Sequence, residues 1–301
     1  MEPNQTVPSS PSPIANNTNS SASSAVLESP SSLLKSSWAF FKTNWKILTL
    51  IVGLPTAVMT VGQLLTLTGN AVLIVIAVIL SIAAAIFSVA SSPAAIDTVR
   101  TIIKDPSIVI TLKGQYKVGF GFFWAVVLVA ILQGLVAFGS IVLFVIPGII
   151  VSLYIGMSMF ACVLDGKKGL STLTESYSLV RNRWWAVLGR LVILGLVFIG
   201  IYIVYSIIVA GLMFLVNLII GSSAVVVATL ITNLIINVVV SSFVMVYMYK
   251  LYSALKVTRQ ADVTTVAFRK WLIAFIVIGV LSAITFAFIA ISGLLSVKPG
   301  Y

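Results

Sequence analysis

Long apolar runs alternate with short polar, basic segments along this chain. Residues 47–92, 118–164, 191–249 and 271–295 contain no Asp, Glu, Lys or Arg. Roughly 20 apolar residues suffice to cross a hydrocarbon core of ~30 Å. The first three runs are long enough to cross twice and the last crosses once. The pattern predicts an all-α integral membrane protein built from three transmembrane helical hairpins, preceded by amphipathic interfacial lead-in helices and followed by a seventh C-terminal span. The expected spans lie near 47–68, 70–92, 118–145, 148–164, 191–219 and 223–249, with the seventh at 271–295.

The hairpin breaks are readable from local chemistry. Thr68-Gly69-Asn70 and Gly221-Ser222-Ser223 interrupt the first and third runs. In Ile146-Pro147-Gly148-Ile149, Pro147 and Gly148 form a structural turn, proline pre-setting its first central residue and glycine supplying positive φ at the second. Pro55 is expected to kink the first span. Asp105-Pro106 reads as an N-cap and first-turn proline that start a new helix. Ala77, Ser81, Ala84, Ala85, Ser88 and Ser92 are small residues that let helices pack closely in lipid.

Two segments have a second periodicity. Leu34, Trp38, Phe41, Trp45 and Leu48 recur at helical spacing, with Lys35, Lys42 and Lys46 off the stripe. Leu170, Leu173, Tyr177, Val180 and Trp184 repeat the spacing, accompanied by Lys167, Lys168, Arg181, Arg183 and Arg190. Such helices are expected to lie in the headgroup plane, with Trp38, Trp45, Tyr177, Trp184 and Trp185 as anchors. The alternative for the first is a simple extension of the first span. The two segments align without a gap from Ser37 to Trp45 and from Ser176 to Trp184. Both copies would enter their hairpins from the same side.

Composition narrows the chemistry. The chain is 60% hydrophobic and 8% charged, with one Cys and no His. Lacking His removes the commonest general base and transition-metal ligand. The seven carboxylates form no pair with catalytic spacing. Asp97 with Arg100, and Glu175 with Arg181, read as solvated helix charges. No enzyme activity, cofactor or metal is expected. The net charge of +11 does not imply nucleic acid, because the charges flank membrane spans. Every Lys and Arg except Lys298 lies within 35–46, 100–117, 167–190 or 250–270. The positive-inside rule places the N-terminus and these segments in the cytoplasm and the C-terminus outside, in a cell membrane.

Residues 1–30, rich in Ser, Pro and Asn, are expected to be a disordered cytoplasmic tail. A six-helix membrane domain would cover 31–255. Residues 256–301 would hold a basic loop, the seventh span and a short external tail.

Four stretches resemble a broad prokaryotic group of integral membrane domains of unknown function. They are Ser37, Trp38, Lys42, Asn44 and Trp45; Ile146-Pro147-Gly148; Leu173 to Trp185 with Ser176, Arg181 and Trp184; and Tyr249-Lys250-Leu251-Tyr252. The group includes the membrane domain attached to some glycerophosphoryl diester phosphodiesterases. The likeness covers roughly 33–255. It implies a membrane domain and no activity, because the catalytic barrel and its acidic metal ligands are missing here.

The functional expectation is a non-enzymatic membrane protein contacting the lipid bilayer at anionic headgroups, or a protein partner. Its candidate contacts are Lys35, Lys42, Lys46, Lys167, Lys168, Arg181, Arg183 and Arg190, with Lys113 and Lys117 nearby. The same charges could instead serve only to set topology. The other class is a transporter or permease component for a small solute or lipid, whose pathway would be marked by Gln63, Gln133, Asn217, Asn233 and Asn237.

Overall fold

The computed structural model describes residues 27–259 and 265–296. The expectations for residues 1–26, for 260–264 of the basic loop and for the tail from 297 lie outside these described residues. The helices are α1 (Pro30–Thr66), α2 (Ala71–Lys104), α3 (Leu112–Gly121), α4 (Phe123–Leu143), α5 (Val145–Ile155), α6 (Ser158–Asp165), α7 (Leu170–Val180), α8 (Trp184–Ile219), α9 (Ser222–Val257) and α10 (Val266–Ser296). Among the described residues, seven helical segments are long and apolar enough to cross a membrane, with α5 and α6 together forming the fourth. The protein is an all-α, multi-pass membrane protein.

Local chemistry sets most of the boundaries. The Ser29 side chain accepts from Ser32 N at 3.2 Å and Pro30 opens α1. Gly69 has φ 68°, and Asn70 Oδ1 caps α2 by accepting from Val72 N at 2.9 Å. Gly166 and Gly221 also adopt positive φ, where α6 ends and where α9 begins. These breaks fall where the sequence predicts them.

Three elements differ from expectation. First, α1 runs unbroken for 37 residues, ~56 Å at 1.5 Å per residue, so its first turns are not a separate helix lying flat on the surface. Nothing between Pro30 and Pro55 breaks a helix, and Pro55 is accommodated within it. Second, α2 passes through Pro93 to Lys104, because Ala94, Ala95, Ile96 and Val99 are fully buried by packing. Asp105 therefore caps the end of α2, and Thr111 caps α3 by accepting from Gly114 N at 3.3 Å. Third, the chain reverses at extended Phe144, and Pro147 and Gly148 lie inside the first turn of α5. A Cβ on Gly148 would meet Ile141 Cγ1 at 2.5 Å, so this glycine permits close helix approach and supplies no positive φ.

The fourth span is broken. Between α5 and α6, Gln133 Nε2 donates to Ile155 O at 2.8 Å and Ser158 Oγ donates to the same carbonyl at 2.6 Å. In hydrocarbon, irregular backbone persists only where such partners re-satisfy it.

The helix expected over 170–185 is divided: α7 ends at Val180, Arg181–Arg183 make a single 3-10 turn, and Trp184 and Trp185 open α8; α7 itself is packed into protein. Thr172, Leu173, Glu175, Ser176, Ser178, Leu179 and Val180 are buried, covering most of its circumference. Tyr177 stacks on Phe268 of α10 with ring centroids 3.7 Å apart, and meets Tyr154 of α5 edge-on at 5.0 Å. A helix covered this way is part of the core, and Tyr177 meets protein rings on the face expected to meet lipid. Periodicity identified the apolar face without identifying what would cover it.

The main core gathers where α1 and α8 begin and α2 and α9 end, around Leu33, Phe41, Ile96, Phe160, Val180, Val246, Tyr247, Leu251 and Tyr252. Away from this basic end the helices expose apolar side chains, including Val72, Ile146, Phe214 and Leu218. Bare hydrocarbon facing outward suits lipid, which is as apolar as the side chains themselves. At the close α4–α10 crossing, a Cβ on Gly139 would collide with Phe275 O, and one on Gly279 with Leu135 O.

Candidate functional site

The basic end contains two populations of cations, one bonded to protein oxygens and one turned outward. Arg190 is 7% exposed. Its guanidinium donates to Leu27 O at 3.0 Å, to Glu28 O and to Ala186 O at 2.7 Å, while Tyr247 Oη donates to its own carbonyl at 3.1 Å. Leu27 and Glu28 are therefore held in place, and the expected disordered tail does not extend to residue 30. Arg183 donates to the hydroxyl and carbonyl oxygens of Thr258. Lys250 Nζ donates to Ser36 O at 2.7 Å. Arg183 and Arg190 thus tie helices together, which leaves little of either guanidinium for a headgroup.

The end of α9 is the hub of this arrangement. Tyr252 Oη donates to Asp165 Oδ2 at 2.6 Å, and Lys256 pairs with Asp165 Oδ1. Arg259 Nη1 meets Glu175 Oε1 at 2.7 Å. Glu175 is buried and paired with Arg259, so it is not a solvated partner of Arg181. Arg181 lies over the Tyr177 ring at 5.7 Å. Neither partner choice could be read from spacing, because each pair joins residues more than 80 positions apart. The only sequence signal was the aromatic-basic cluster Tyr249-Lys250-Leu251-Tyr252.

The second population is exposed. Lys35, Lys42, Lys46, Lys113, Lys117, Lys167 and Lys168 all point outward. On α1 they share a face with Trp38, 54% exposed, and Trp45, 49% exposed. Leu33, Ser37, Phe41 and Leu48 form the opposite, buried face. The structure thus gathers Lys35, Trp38, Lys42, Trp45 and Lys46 into one outward stripe. Lys167 and Lys168 lie apart, in the α6–α7 loop. Trp185 is 77% exposed, whereas Trp184 is partly buried against the core. Trp184 and Trp185 line a cavity of about 560 Å³ with Arg181, Asn182 and Arg183.

Next to the α1 stripe runs a groove of about 490 Å³ between α1, α8 and α9. Leu34, Lys35 and Trp38 form one wall, Val197, Phe198 and Ile201 a second, and Ile236, Val239, Val240 and Phe243 the third. Lys35 is the one charged residue in the lining. Sequence reasoning did not find this groove, because its walls come from three distant segments.

The polar residues proposed for a transport path do not converge. Gln133 is engaged at the α5–α6 break. Gln63, Asn217, Asn233 and Asn237 are exposed on the outside of the bundle. Among the described residues, no three His, Cys, Asp or Glu side chains cluster as metal ligands would. Cys162 is buried and free.

Two groups in loops or short helices outside the spans have shifted ionisation. Burial pushes the Tyr116 phenol up to about 12, and its Oη donates to Ile51 O at 2.7 Å. Hydrogen bonds from the Ser107 side chain and backbone hold Asp105 below the usual carboxylate range. Neither group faces the groove. No protein-family model, curated protein or solved structure matches this chain.

Proposed function

We propose that this chain is a non-enzymatic multi-pass protein of the cell membrane that binds anionic lipid at its basic end, with that end in the cytoplasm. The outward stripe Lys35, Trp38, Lys42, Trp45 and Lys46 carries this reading. Tryptophan favours the headgroup level, and each near-surface cation contributes about 1 kcal/mol toward an anionic leaflet. The adjacent groove supplies an apolar channel for an acyl chain, with Lys35 at its rim for a phosphate. The cytoplasmic orientation rests on the positive-inside rule. Kinship with the membrane domain of glycerophosphoryl diester phosphodiesterases belongs to the same proposal and rests on its four short motifs.

Transport is the competing reading. The groove's apolar lining favours a lipid over a small polar solute as cargo. Full-length protein reconstituted in nanodiscs of mixed neutral and anionic lipid tests the binding proposal. Lipids retained after extraction should be enriched in the anionic species. Lys35→Gln with Lys42→Gln and Lys46→Gln should remove the enrichment, and high salt should weaken it. Equal enrichment in the wild type and the triple variant would refute the proposal. Lipid flipping by the wild type in proteoliposomes would favour transport.

A further inference from the structure

One line of polar side chains on α9 is only partly partnered within a single copy of this chain. Asn233, Asn237 and Ser241 follow one another at four-residue steps, so they share a helix face. All three are exposed, although they sit well inside a helix apolar enough to span the membrane. Val226 continues the same face and is 43% exposed.

The amides are half satisfied. Tyr205 Oη donates to Asn233 Oδ1 at 3.3 Å, and Asn237 Nδ2 donates to the backbone oxygen of Asn233 at 2.8 Å. Asn233 Nδ2 and Asn237 Oδ1 have no partner among the described residues. A carboxamide left unpaired in hydrocarbon is penalised, because no water is available to replace the missing bond. Lipid tails offer neither donor nor acceptor.

We propose that two copies of this chain associate in the membrane along this face of α9. The unsatisfied groups are complementary to each other. Each copy presents a free amide donor at Asn233 and, one turn away, a free carbonyl acceptor at Asn237. A two-fold axis turns this into a self-complementary seam, in which residue i of one copy meets residue j of the other and the reverse. Ser241 extends the seam by one turn with a small side chain that allows close backbone approach. The face lies on a different side of α9 from Val238 and Ser242, which pack on α1 at Gly53 and Leu48. Pairing there therefore leaves the packing of α9 on α1 intact.

Full-length protein in proteoliposomes at low protein density tests this, with Cys162→Ala as background. Asn237→Cys should form a disulfide-linked dimer on mild oxidation. Ile289→Cys, on the 58%-exposed position of α10, should not. Single-molecule photobleaching of labelled protein should show dimers. Asn233→Leu with Asn237→Leu should raise the dissociation constant tenfold or more, and Asn237→Gln should retain much of the dimer. Leucine is at home in lipid, so the double variant should still fold. Monomers at every density would overturn the proposal. So would an unchanged dissociation constant in the leucine variant or equal crosslinking at Ile289→Cys.

Discussion

The Ser176 hydroxyl accepts the backbone N–H of Met157 at 3.0 Å, across a chain separation of 19 residues. The same oxygen donates to Tyr154 O at 2.6 Å. One side chain from buried α7 thus repairs both sides of the break in the fourth span. Ser176→Ala should strand a buried N–H and a part-buried carbonyl and cost about 1–3 kcal/mol. Ser176→Thr should recover part of the loss if its methyl group fits. Thermal unfolding of purified protein, followed by fluorescence of the native tryptophans, measures both.

Gly139 and Gly279 should be intolerant of any side chain. Gly139→Leu or Gly279→Leu would force α4 and α10 apart at a backbone–backbone crossing. Overpacking costs about 1–3 kcal/mol even where side chains can yield, and here carbonyl oxygens would have to move. The expected outcome is undocking of α10, read as new protease cleavage before Val266 while the rest of the bundle stays folded. Gly134→Leu is the control, since nothing lies within 4 Å of its missing side chain.

Arg190→Ala should release the start of α1. The guanidinium holds the carbonyl oxygens of Leu27 and Glu28 just before the Ser29 cap. Hydrogen exchange over residues 30–36 should rise by tenfold or more, while exchange over residues 48–60 stays unchanged. Arg190→Lys should give an intermediate result, because one ammonium cannot reproduce the planar fork.

Tyr116 should make the fold sensitive to alkali. Its folded value, about 12, lies above the unfolded value near 10. The stabilisation is therefore complete below the unfolded value and is lost as pH rises toward the folded one. Tyr116→Phe should lose the hydrogen bond to Ile51 at neutral pH, at a cost of about 1 kcal/mol. The variant should also lack the alkaline part of the stability curve. Unfolding midpoints measured from pH 7 to 12 test the sign.

Reporter fusions after Lys256 and after Tyr301 should report opposite sides of the membrane. This follows from the one candidate span, in α10, that lies between the two fusion points. Signals from the same side would remove α10 from the count of complete crossings.

The sequence determined the membrane class, the number of candidate crossings and the chain breaks near 69, 166 and 221. These depend on local properties: run length, absence of charge and turn-forming residues such as Gly69, Asn70, Gly166 and Gly221. The outward face of α1 was legible only in part: helical spacing grouped Trp38 and Trp45 with Phe41 and Leu48 and set the lysines apart, whereas the structure buries Phe41 and Leu48 and turns Trp38 and Trp45 outward with Lys35, Lys42 and Lys46. Only the tertiary structure decided which apolar stripe meets lipid and which meets protein. The stripes of α1 and α7 look alike in sequence, yet Trp38 is exposed while Tyr177 stacks on Phe268. Periodicity gives the direction of a side chain and says nothing of what lies there. The roles of the cations divided for the same reason. Arg190 and Arg183 find carbonyl oxygens just beyond the ends of other helices, and Lys42 finds none, although all three flank apolar runs in the same way. Long-range pairing in a membrane bundle is set by which helices become neighbours, and no local pattern encodes that choice.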